Sequence, residues 1–296
     1  MKILNFGSMN IDIFYYVKNI VRPSETIESY DMAQKIGGKG LNQSIALNKS
    51  YDKIFHAGKV GEDGLFLINY LKENGIDTSL IEISDKRSGN AIIQVEESGE
   101  NSIILFHGAN FDIDIKYIDH VLDNFDKGDY LIIQNEINNL EYIIDRAYEK
   151  GLKIFLNPSP ITDELLKANL NKIYMFILNE TEAKTLTNTD NLELIKKKLI
   201  EKYPNSLFVM TLGKEGSIYF DKKKEIRQKA YKVKAVDTTG AGDTFTGYLI
   251  SNLANGTSIE KALEMASKAS ALSVTKSGAS NSIPSLNEVE NFKELI

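Results

Sequence analysis

The chain has 296 residues, of which 42% are hydrophobic, and this is enough for one large α/β domain with a sizeable core. Its 35 basic and 41 acidic residues give a net charge of -6, which disfavours nucleic acid as a partner. Because there is no cysteine, disulfides, zinc–thiolate sites and thiol nucleophiles are excluded, and a reducing cytoplasm is the expected location. Polar residues interrupt the segment 1–12, so we expect neither a signal peptide nor a membrane span.

Short apolar runs that end in polar residues or glycine alternate with amphipathic stretches along the chain. The runs that predict buried strands lie at 2–8, 53–61, 129–136, 152–160, 172–180 and 206–213. The stretches 64–75 and 139–151 predict helices, and each closes on a glycine. This alternation predicts a mostly parallel sheet covered by helices on both faces. Ligands bind beyond the carboxyl ends of the strands in such sheets, so the polar ends of the runs indicate one functional rim.

Two segments interrupt the alternation with strands that have no helix between them. Residues 11–17 and 26–34 form the first, and residues 90–106 form the second. We predict a small antiparallel sheet, inserted at about 12–35 and 89–107 into a single α/β domain that spans 1–296, and placed as a lid. Both faces of "IDIFYYV" carry apolar or aromatic side chains. Either a second subunit, which would make a homodimer, or the parent domain is expected to cover them.

The last part of the chain is predicted to be mostly helical. The helical stretches lie at 241–255, 258–275 and 285–296. Before them, the basic run 221–234 is expected to be a solvated hairpin, and its end at 231–236 is expected to be a strand. The three histidines have no metal-ligand spacing and are expected to lie on the surface or to support other residues; they are His56, His107 and His120.

The stretch "VDTTGAGDTFTG" at 236–247 holds more glycine, threonine and aspartate than a turn requires. With a strand before it and a helix after it, Gly240, Ala241 and Gly242 would lie at a helix N-terminus. Their free N–H groups would form an anion hole for a phosphoryl group. Asp243 in the first turn would face a hydroxyl and accept its proton, and the helix dipole would keep its carboxylate ionised. Together these features predict a kinase.

Other phosphate-binding patterns fit this stretch less well. A Walker loop of the form GxxxxGK[ST] is absent, and the third glycine of a dinucleotide fingerprint is misplaced. A helix cap would explain one glycine and one threonine but not the whole stretch. A second glycine cluster, "GGKGLNQ" at 37–43, opens another helix, and we favour a ligand site there over a simple tight turn.

Motifs along nearly the whole chain resemble, in order, those of the ribokinase family of ATP-dependent sugar kinases, also called the phosphofructokinase-B group. The motifs are "GSMNID" (7–12), "GGKGLNQ" (37–43), "HGAN" (107–110), "QNE" (134–136), "LNPSP" (156–160), "NETE" (179–182), "TLGKEG" (211–216), "DTTGAGDTFTG" (237–247) and "KSGAS" (276–280). The resemblance implies a ribokinase-like three-layer α/β/α fold with a small β-sheet lid. It also implies ATP as the phosphoryl donor, Mg²⁺, and K⁺ as an activator.

The resemblance also implies which residues bind the substrates. The general base would be Asp243, with an anion hole formed by Gly240, Ala241 and Gly242. The residues that would hold the sugar hydroxyls are Asn10, Asp12, Gly38, Lys39, Asn42, Glu136 and Asp243. The residues that would line ATP are Asn179, Thr211, Gly213, Gly216, Gly242 and Ser267.

Two cation sites follow from the same resemblance. Glu182 would contact Mg²⁺ through water, with Asn179 orienting the phosphates. The residues that would surround K⁺ are Asp237, Thr239, Ser273, Lys276, Gly278 and Ser282. Asn135 departs from the family pattern, where an apolar residue is expected, and Ser267 stands where Asn or His is frequent.

The expected reaction is transfer of the γ-phosphoryl group of ATP to the 5-hydroxyl of D-ribose. One alternative keeps the chemistry and changes the acceptor to a nucleoside or another furanose. A second alternative is a catalytically silent sugar-binding or regulatory protein on the same fold. Asp243 and the intact glycine loop, residues 240–242, favour an enzyme over a silent protein.

Overall fold

The computed structural model describes residues 1–292, and strands and helices alternate through most of this length. The strands, in chain order, are β1 (Ile3–Phe6), β2 (Asn10–Val17), β3 (Ser29–Gly37), β4 (Ile54–Gly61), β5 (Asp77–Ser84), β6 (Gly89–Glu96), β7 (Asn101–Phe106), β8 (Tyr130–Gln134), β9 (Lys153–Asn157), β10 (Met175–Asn179), β11 (Leu207–Thr211), β12 (Ser217–Phe220) and β13 (Glu225–Gln228). The helices are α1 (Lys39–Asn48), α2 (Leu65–Glu73), α3 (Ile115–Leu122), α4 (Leu140–Glu149), α5 (Asp163–Lys167), α6 (Glu180–Thr187), α7 (Leu192–Lys202), α8 (Ala241–Ala254), α9 (Ile259–Ser273) and α10 (Leu286–Glu290). No helix within residues 1–292 has the length and apolarity that a membrane span requires.

The large sheet has nine strands in the order β13-β12-β11-β10-β9-β8-β1-β4-β5. All strands from β11 to β5 run parallel, and only β12 and β13 pair antiparallel. Every residue of β1 and β8 is buried, because helices cover both faces of the sheet and each face has its own apolar core. The predicted three-layer α/β/α fold with a mostly parallel sheet is confirmed.

The carboxyl ends of the parallel strands meet at one rim, as the polar ends of the apolar runs predicted. Asn179 at the end of β10 lies in register beside Thr211 at the end of β11. Gln134 at the end of β8 lies in register beside Asn157 at the end of β9. The segment between β1 and β2 leaves from the same rim, because β1 pairs in parallel with β8.

Helices α1 and α8 pack against each other on one face of the large sheet. A Cβ on Gly247 would lie 2.3 Å from the Ala46 Cβ, so only glycine permits this separation of the two helices. On α8, the side chains of Phe245, Tyr248 and Leu249 are buried in the core. The contact aligns the first turns of both helices at the rim, where the Asn42 side chain reaches Asp243.

The small sheet has the order β3-β2-β6-β7. The prediction that it is antiparallel is wrong for its central pair, because β2 and β6 run parallel. The reason is topological. Strand β2 follows β1 after residues 7–9, and β6 follows β5 after residues 85–88. Because β1 and β5 belong to the parallel part of the large sheet, the two strands enter the small sheet in the same direction.

Other elements near the end of the chain differ in part from the expectation. Residues 231–236 do not form a strand; Val236 is 65% exposed, and its N–H donates to the Val274 carbonyl after α9. The predicted basic hairpin is formed by β12 and β13. The last helix, α10, covers only Leu286–Glu290, and positions 293–296 of the predicted helix lie outside the described residues.

Candidate active site

Two helix N-termini without side-chain caps lie at the rim. Each is preceded by a glycine in the left-handed region, Gly38 with φ 95° and Gly240 with φ 73°, where a side chain would be strained. The first N–H groups of a helix have no intrahelical acceptor and can bind anionic or polar groups. At α1 the N–H groups of Lys39 and Gly40 already donate to Glu136 Oε2 and Ser8 Oγ, and that of Leu41 donates to the Ser8 carbonyl. The end of α8 is therefore the candidate anion site. At α8 the Ala241 N–H already makes a long bond to the Thr238 carbonyl at 3.3 Å. Open space surrounds Gly242, where a Cβ would meet no atom within 4 Å.

Asp243 lies buried in the first turn of α8 between two amides of α1. Its Oδ2 accepts a hydrogen bond from Asn42 Nδ2 at 3.0 Å, and its Oδ1 accepts one from Gln43 Nε2 at 2.9 Å. Burial raises the pKa of Asp243 to about 6, although the charge of Lys39 and the two amide donors oppose the rise. The carboxylate is therefore ionised at neutral pH, as expected, but it is a stronger base than the helix dipole alone would make it.

Glu136 and Lys39 form a buried ion pair beside Asp243. Lys39 Nζ contacts Glu136 Oε1, while Glu136 Oε2 accepts from the Lys39 N–H at 3.1 Å and from Ser8 Oγ at 2.5 Å. Burial lowers the pKa of Lys39, but the charges of Glu136 and Asp243 outweigh this effect and raise it. The ammonium group therefore keeps its charge next to the carboxylates.

Three further side chains from the predicted sugar-binding set present oxygen acceptors near this pair. The Asp12 carboxylate lies against Gly37, where a Cβ would be 1.9 Å from Oδ2. Burial, and then the charge of Glu136, raise the pKa of Asp12 to about 7. Asn42 Oδ1 is buried and has no hydrogen-bond partner within residues 1–292. Asn10 Oδ1 accepts from Asn110 Nδ2 at 2.7 Å. Such acceptors suit a ligand that donates several hydroxyl protons.

The residues expected to line ATP lie at the start of α6, at and after the end of β11, in the first turn of α8 and on α9. Asn179 begins α6 with a capping box, in which its Oδ1 accepts from the Glu182 N–H at 2.9 Å. Thr211 lies beside it at the rim, and Gly213 and Gly216 have positive φ in the turn that follows β11. Ser267 is buried on α9. That helix is joined to the glycine loop by a hydrogen bond from Ser270 Oγ to the Ala241 carbonyl at 3.1 Å.

The expected magnesium residue is already engaged within the protein. Both carboxylate oxygens of Glu182 accept hydrogen bonds from Asn179, Oε2 from the N–H at 2.9 Å and Oε1 from Nδ2 at 2.8 Å. Burial raises the pKa of Glu182. In the part of the chain that the structure describes, no cluster of three or more His, Asp or Glu side chains could hold a metal ion. A direct all-protein magnesium cage is therefore not formed.

The expected potassium residues lie where two loops meet. Asp237 accepts from the Thr239 N–H through Oδ1 and from the Gly278 N–H through Oδ2, both at 2.9 Å. These bonds join the glycine loop to the loop after α9. The hydroxyls of Ser273 and Ser282 donate to nearby carbonyls, those of Ser270 and Ala279. The ammonium group of Lys276 pairs with Glu288, so only the carbonyl of Lys276 could bind a cation.

Sequence reasoning missed several side chains that complete the site. The missed residues that contact predicted ones are Ser8, Gln43 and Asn110, and Gln134 in turn contacts Gln43. All four lie within or next to the quoted motifs, and a polar residue inside a buried apolar run was the available signal. The unexpected Asn135 has a local explanation, because its Nδ2 donates to the Pro160 carbonyl and to Thr162 Oγ1.

Comparisons with known proteins agree with this geometry. A ribokinase from Bacillus subtilis is 35% identical over 291 residues, covering 97% of this chain and 97% of the relative. A deoxyribokinase from Salmonella typhi is 31% identical over 306 residues, covering 100% of this chain and 99% of the relative. The solved structure of Arabidopsis thaliana ribokinase complexed with ribose and ATP superimposes with a TM-score of 0.85 at 27% identity, covering 99% of both chains.

The family comparison covers nearly the whole chain. Residues 1–286 match the family described as pfkB family carbohydrate kinase. The match includes both glycine clusters, the buried Asp243 and the small sheet. The chain therefore belongs to the pfkB family of carbohydrate kinases.

Proposed function

We propose that this protein transfers the γ-phosphoryl group of ATP to the 5-hydroxyl of D-ribose and releases ribose 5-phosphate and ADP. The observation that carries the proposal is the buried Asp243 carboxylate at the uncapped N-terminus of α8, beside the Lys39–Glu136 pair. The names of the Bacillus subtilis ribokinase and of the Arabidopsis structure with ribose and ATP support the same acceptor and donor.

The acceptor sugar would bind to the side chains of the sugar-binding set. Asn42 Oδ1 presents a buried acceptor without a protein partner among residues 1–292, Asp12 adds a carboxylate, and Glu136 is held in place by Lys39. A small polyol donates one proton from each hydroxyl and can satisfy several such acceptors together. An apolar or singly hydroxylated ligand would leave them desolvated and unpaired, which disfavours its binding.

The reaction would use Asp243 to aim and deprotonate the acceptor. The ionised carboxylate accepts the hydroxyl proton as that oxygen attacks the γ-phosphorus, and ADP leaves with the bridging oxygen. The negative charge on the transferring group would be met by the first N–H groups of α8, with Gly242 giving unhindered backbone approach. Because the transition state of phosphoryl transfer is loose, positioning contributes more than base strength.

Another furanose is the second candidate acceptor. The deoxyribokinase relative aligns over the full chain at 31% identity, close to the 35% of the ribokinase relative. A nucleoside acceptor, or a silent sugar-binding protein, has no comparable support here. The ionised base and the open glycine loop are features that a silent protein does not need.

Magnesium fits this site only through water. Mg²⁺ retains several of its water ligands in phosphate sites, and those waters can donate to a carboxylate that is held in place. Asn179 fixes both oxygens of Glu182, so the carboxylate can orient such water without direct coordination. The ion would neutralise charge on the ATP phosphates.

Potassium fits the junction of the two loops that Asp237 joins. The oxygen donors there are a carboxylate, hydroxyls and carbonyls, which suit a hard cation. The Cα of Ala279 would be only 3.0 Å from a Cβ on Gly240, so the two loops are in close contact. A cation in this junction would order the glycine loop beside the transferring phosphoryl group.

The small sheet is proposed to act as a lid and as the surface of a homodimer. Asp12 on β2 brings the sheet to the sugar site, while apolar side chains remain exposed on both of its faces. The large exposed apolar and aromatic side chains on β3, β6 and β7 are Tyr30, Met32, Ile92, Ile103, Ile104, Leu105 and Phe106. A monomer rarely leaves so many on one sheet, so a second copy is the expected cover. The absence of cysteine and the use of ATP favour a cytoplasmic location.

Ribose should be the preferred acceptor in an ATP-consumption screen across pentoses, hexoses and nucleosides.

Asp12→Asn should lower kcat/KM for ribose by about ten- to one-hundredfold, because it loses a charged acceptor for the sugar hydroxyls. Asp31→Asn, which changes an exposed carboxylate on β3 of the same sheet, is the matched control and should retain activity. Turnover of adenosine or inosine without turnover of ribose would replace the ribose assignment by the nucleoside one.

Asp243→Asn should lower kcat by roughly two to four powers of ten, the usual range for losing a general base. Asn42 can rotate its amide and offer its unpaired Oδ1 to the new amide, so the fold should survive. Turnover and melting temperature are to be measured on the same variant. If Asp243 were only a helix cap, the variant would melt earlier and turn over normally.

Potassium should support a higher kcat than sodium at constant magnesium. Asp237→Asn should abolish this difference, because it weakens the bonds that join the two loops. Asp221→Asn is the control, since this carboxylate also accepts two backbone N–H bonds, but in the remote turn between β12 and β13. Equal rates in both salts for the unaltered enzyme would contradict the potassium site.

Ile104→Lys should shift the protein from dimer to monomer in light scattering. The Ile104 side chain is 60% exposed on β7, and a charge there would be buried without a partner in the dimer. Leu194→Lys, at a 48% exposed position on α7, is the control and should leave the mass unchanged. A monomeric unaltered protein at high concentration would remove the dimer proposal.

A further inference from the structure

A continuous chain of buried hydrogen bonds leads from Asp243 away from the rim and into the core. Its members are Asp243, Gln43, Gln134, Asn5, Ser44 and His56. The bonds measure 2.9 Å from Gln43 Nε2 to Asp243 Oδ1, 2.7 Å from Gln134 Nε2 to Gln43 Oε1, and 2.9 Å from Gln134 Nε2 to Asn5 Oδ1. Asn5 Nδ2 reaches Ser44 Oγ at 2.8 Å, and Ser44 Oγ reaches His56 Nδ1 at 2.8 Å.

The direction of every bond in this chain is determined by the first acceptor. An ionised carboxylate only accepts, so Gln43 must turn its Nε2 toward Asp243 and its Oε1 toward Gln134. Gln134 then uses its two N–H groups for the Gln43 and Asn5 oxygens. Asn5 turns its Nδ2 toward Ser44 and also toward the Gly40 carbonyl at 2.6 Å. The Ser44 hydroxyl accepts from Asn5 and donates to His56 Nδ1.

His56, at the end of the hydrogen-bond chain opposite Asp243, is consistent with this direction of donation. The hydrogen bond between Ser44 Oγ and His56 Nδ1 follows the same direction when the neutral ring carries its proton on Nε2. Burial lowers the pKa of His56 to about 3, so the ring stays neutral at every pH at which the enzyme would work. Apart from Asp243, no member of this hydrogen-bond chain is charged, and the hydrogen-bond chain ends in the core without reaching solvent.

This chain of buried hydrogen bonds lowers the stability of the fold. Asn5, Gln43, Ser44, His56 and Gln134 are each 0% exposed, in a core that is otherwise apolar. One of its atoms, Gln134 Oε1, has no hydrogen-bond partner within residues 1–292. Buried polar atoms without partners destabilise a fold, and apolar side chains of similar size would avoid the cost. Stability therefore does not account for these amides.

We propose that Gln43 is a positioning residue for Asp243, and that Gln134 and Asn5 hold the Gln43 amide with its donor toward the carboxylate. This inference rests on the proposed kinase function and names residues that act through the base. Without Gln134 and Asn5, the Gln43 amide could rotate and present its oxygen to the Asp243 carboxylate, which would repel it.

The proposed contact also affects how Asp243 titrates. The charged groups that act on it are Lys39 on α1, which favours the ionised form, and Glu136 after β8, which disfavours it. Burial raises the pKa of Asp243, and the hydrogen bonds from Gln43 and Asn42 lower it. Loss of the Gln43 donor should therefore raise this pKa further and leave less ionised base at neutral pH.

Gln43→Met tests the proposal, because the unbranched thioether keeps the volume and removes the donor. At pH 7 its kcat should fall about ten- to one-hundredfold, while KM for ATP and ribose changes much less. The acid limb of kcat should move about one unit to higher pH. Gln134→Met should act in the same direction, and the double variant should be no worse than Gln43→Met, because both changes break one chain.

Asn252→Leu is the matched control. Asn252 is a buried amide on the same helix as Asp243, but its Nδ2 bonds only to the Tyr248 carbonyl of that helix. This variant should melt earlier and keep the pH profile of the unaltered enzyme. If Gln134→Met does not fold, Asn5→Ala replaces it, since it removes the second acceptor of Gln134 without adding volume.

A measurement without turnover separates this inference from the proposed function. Difference infrared titration of the unaltered protein against Asp243→Asn gives the pKa of the Asp243 carboxyl group directly. Gln43→Met should raise that value, and Asn252→Leu should not. An unchanged value with unchanged kcat in Gln43→Met would overturn the positioning role. Absence of ATP consumption with every sugar and nucleoside would instead overturn the kinase proposal, while the titration would still decide the role of Gln43.

Discussion

The close contact between α1 and α8 is the constraint on which the candidate site depends. Gly247 lets the helices approach until Ala46 fills the space that a side chain would need. This separation places the amides of Asn42 and Gln43 within hydrogen-bonding distance of Asp243 and removes the carboxylate from solvent. A wider separation would admit water, lower the pKa of Asp243 toward its ordinary value, and lose the fixed direction of the carboxylate.

Burial of several carboxylates beside one ammonium group defines the electrostatics of the site. Lys39 pairs with Glu136, and its charge also acts on Asp12 and Asp243, whose pKa values are both raised by burial. The ligand-free site is therefore rich in desolvated acceptors. In the proposed reaction, a sugar would relieve this condition because its hydroxyls donate protons without adding charge. The transferring phosphoryl group would be met by the N-terminus of α8, which has no side-chain cap.

The small sheet follows from the topology of the large one. Because β1 and β5 are parallel, the strands that continue from them pair in parallel and carry Asp12 back toward the rim. The same extension leaves β7 as an edge strand with exposed apolar side chains. One arrangement thus brings Asp12 to the candidate site and leaves an apolar surface exposed. If a second copy covers this surface, as proposed, assembly would be coupled to the sugar site.

The sequence by itself determined the parallel sheet, the rim and the glycine loop, because apolar period, chain order and glycine spacing are local properties. Its motifs also pointed to Asp243 and to the residues of the sugar-binding set. The parallel pairing of β2 with β6, the irregular backbone at 231–236 and the roles of Gln43 and Gln134 were decided by the tertiary structure. Each of these depends on groups far apart in the chain, such as Gln43 and Asp243 at 200 residues, whose contact no local pattern specifies. The pKa of Asp243 was likewise decided by the tertiary structure, because burial is a property of the packed helices and not of the motif.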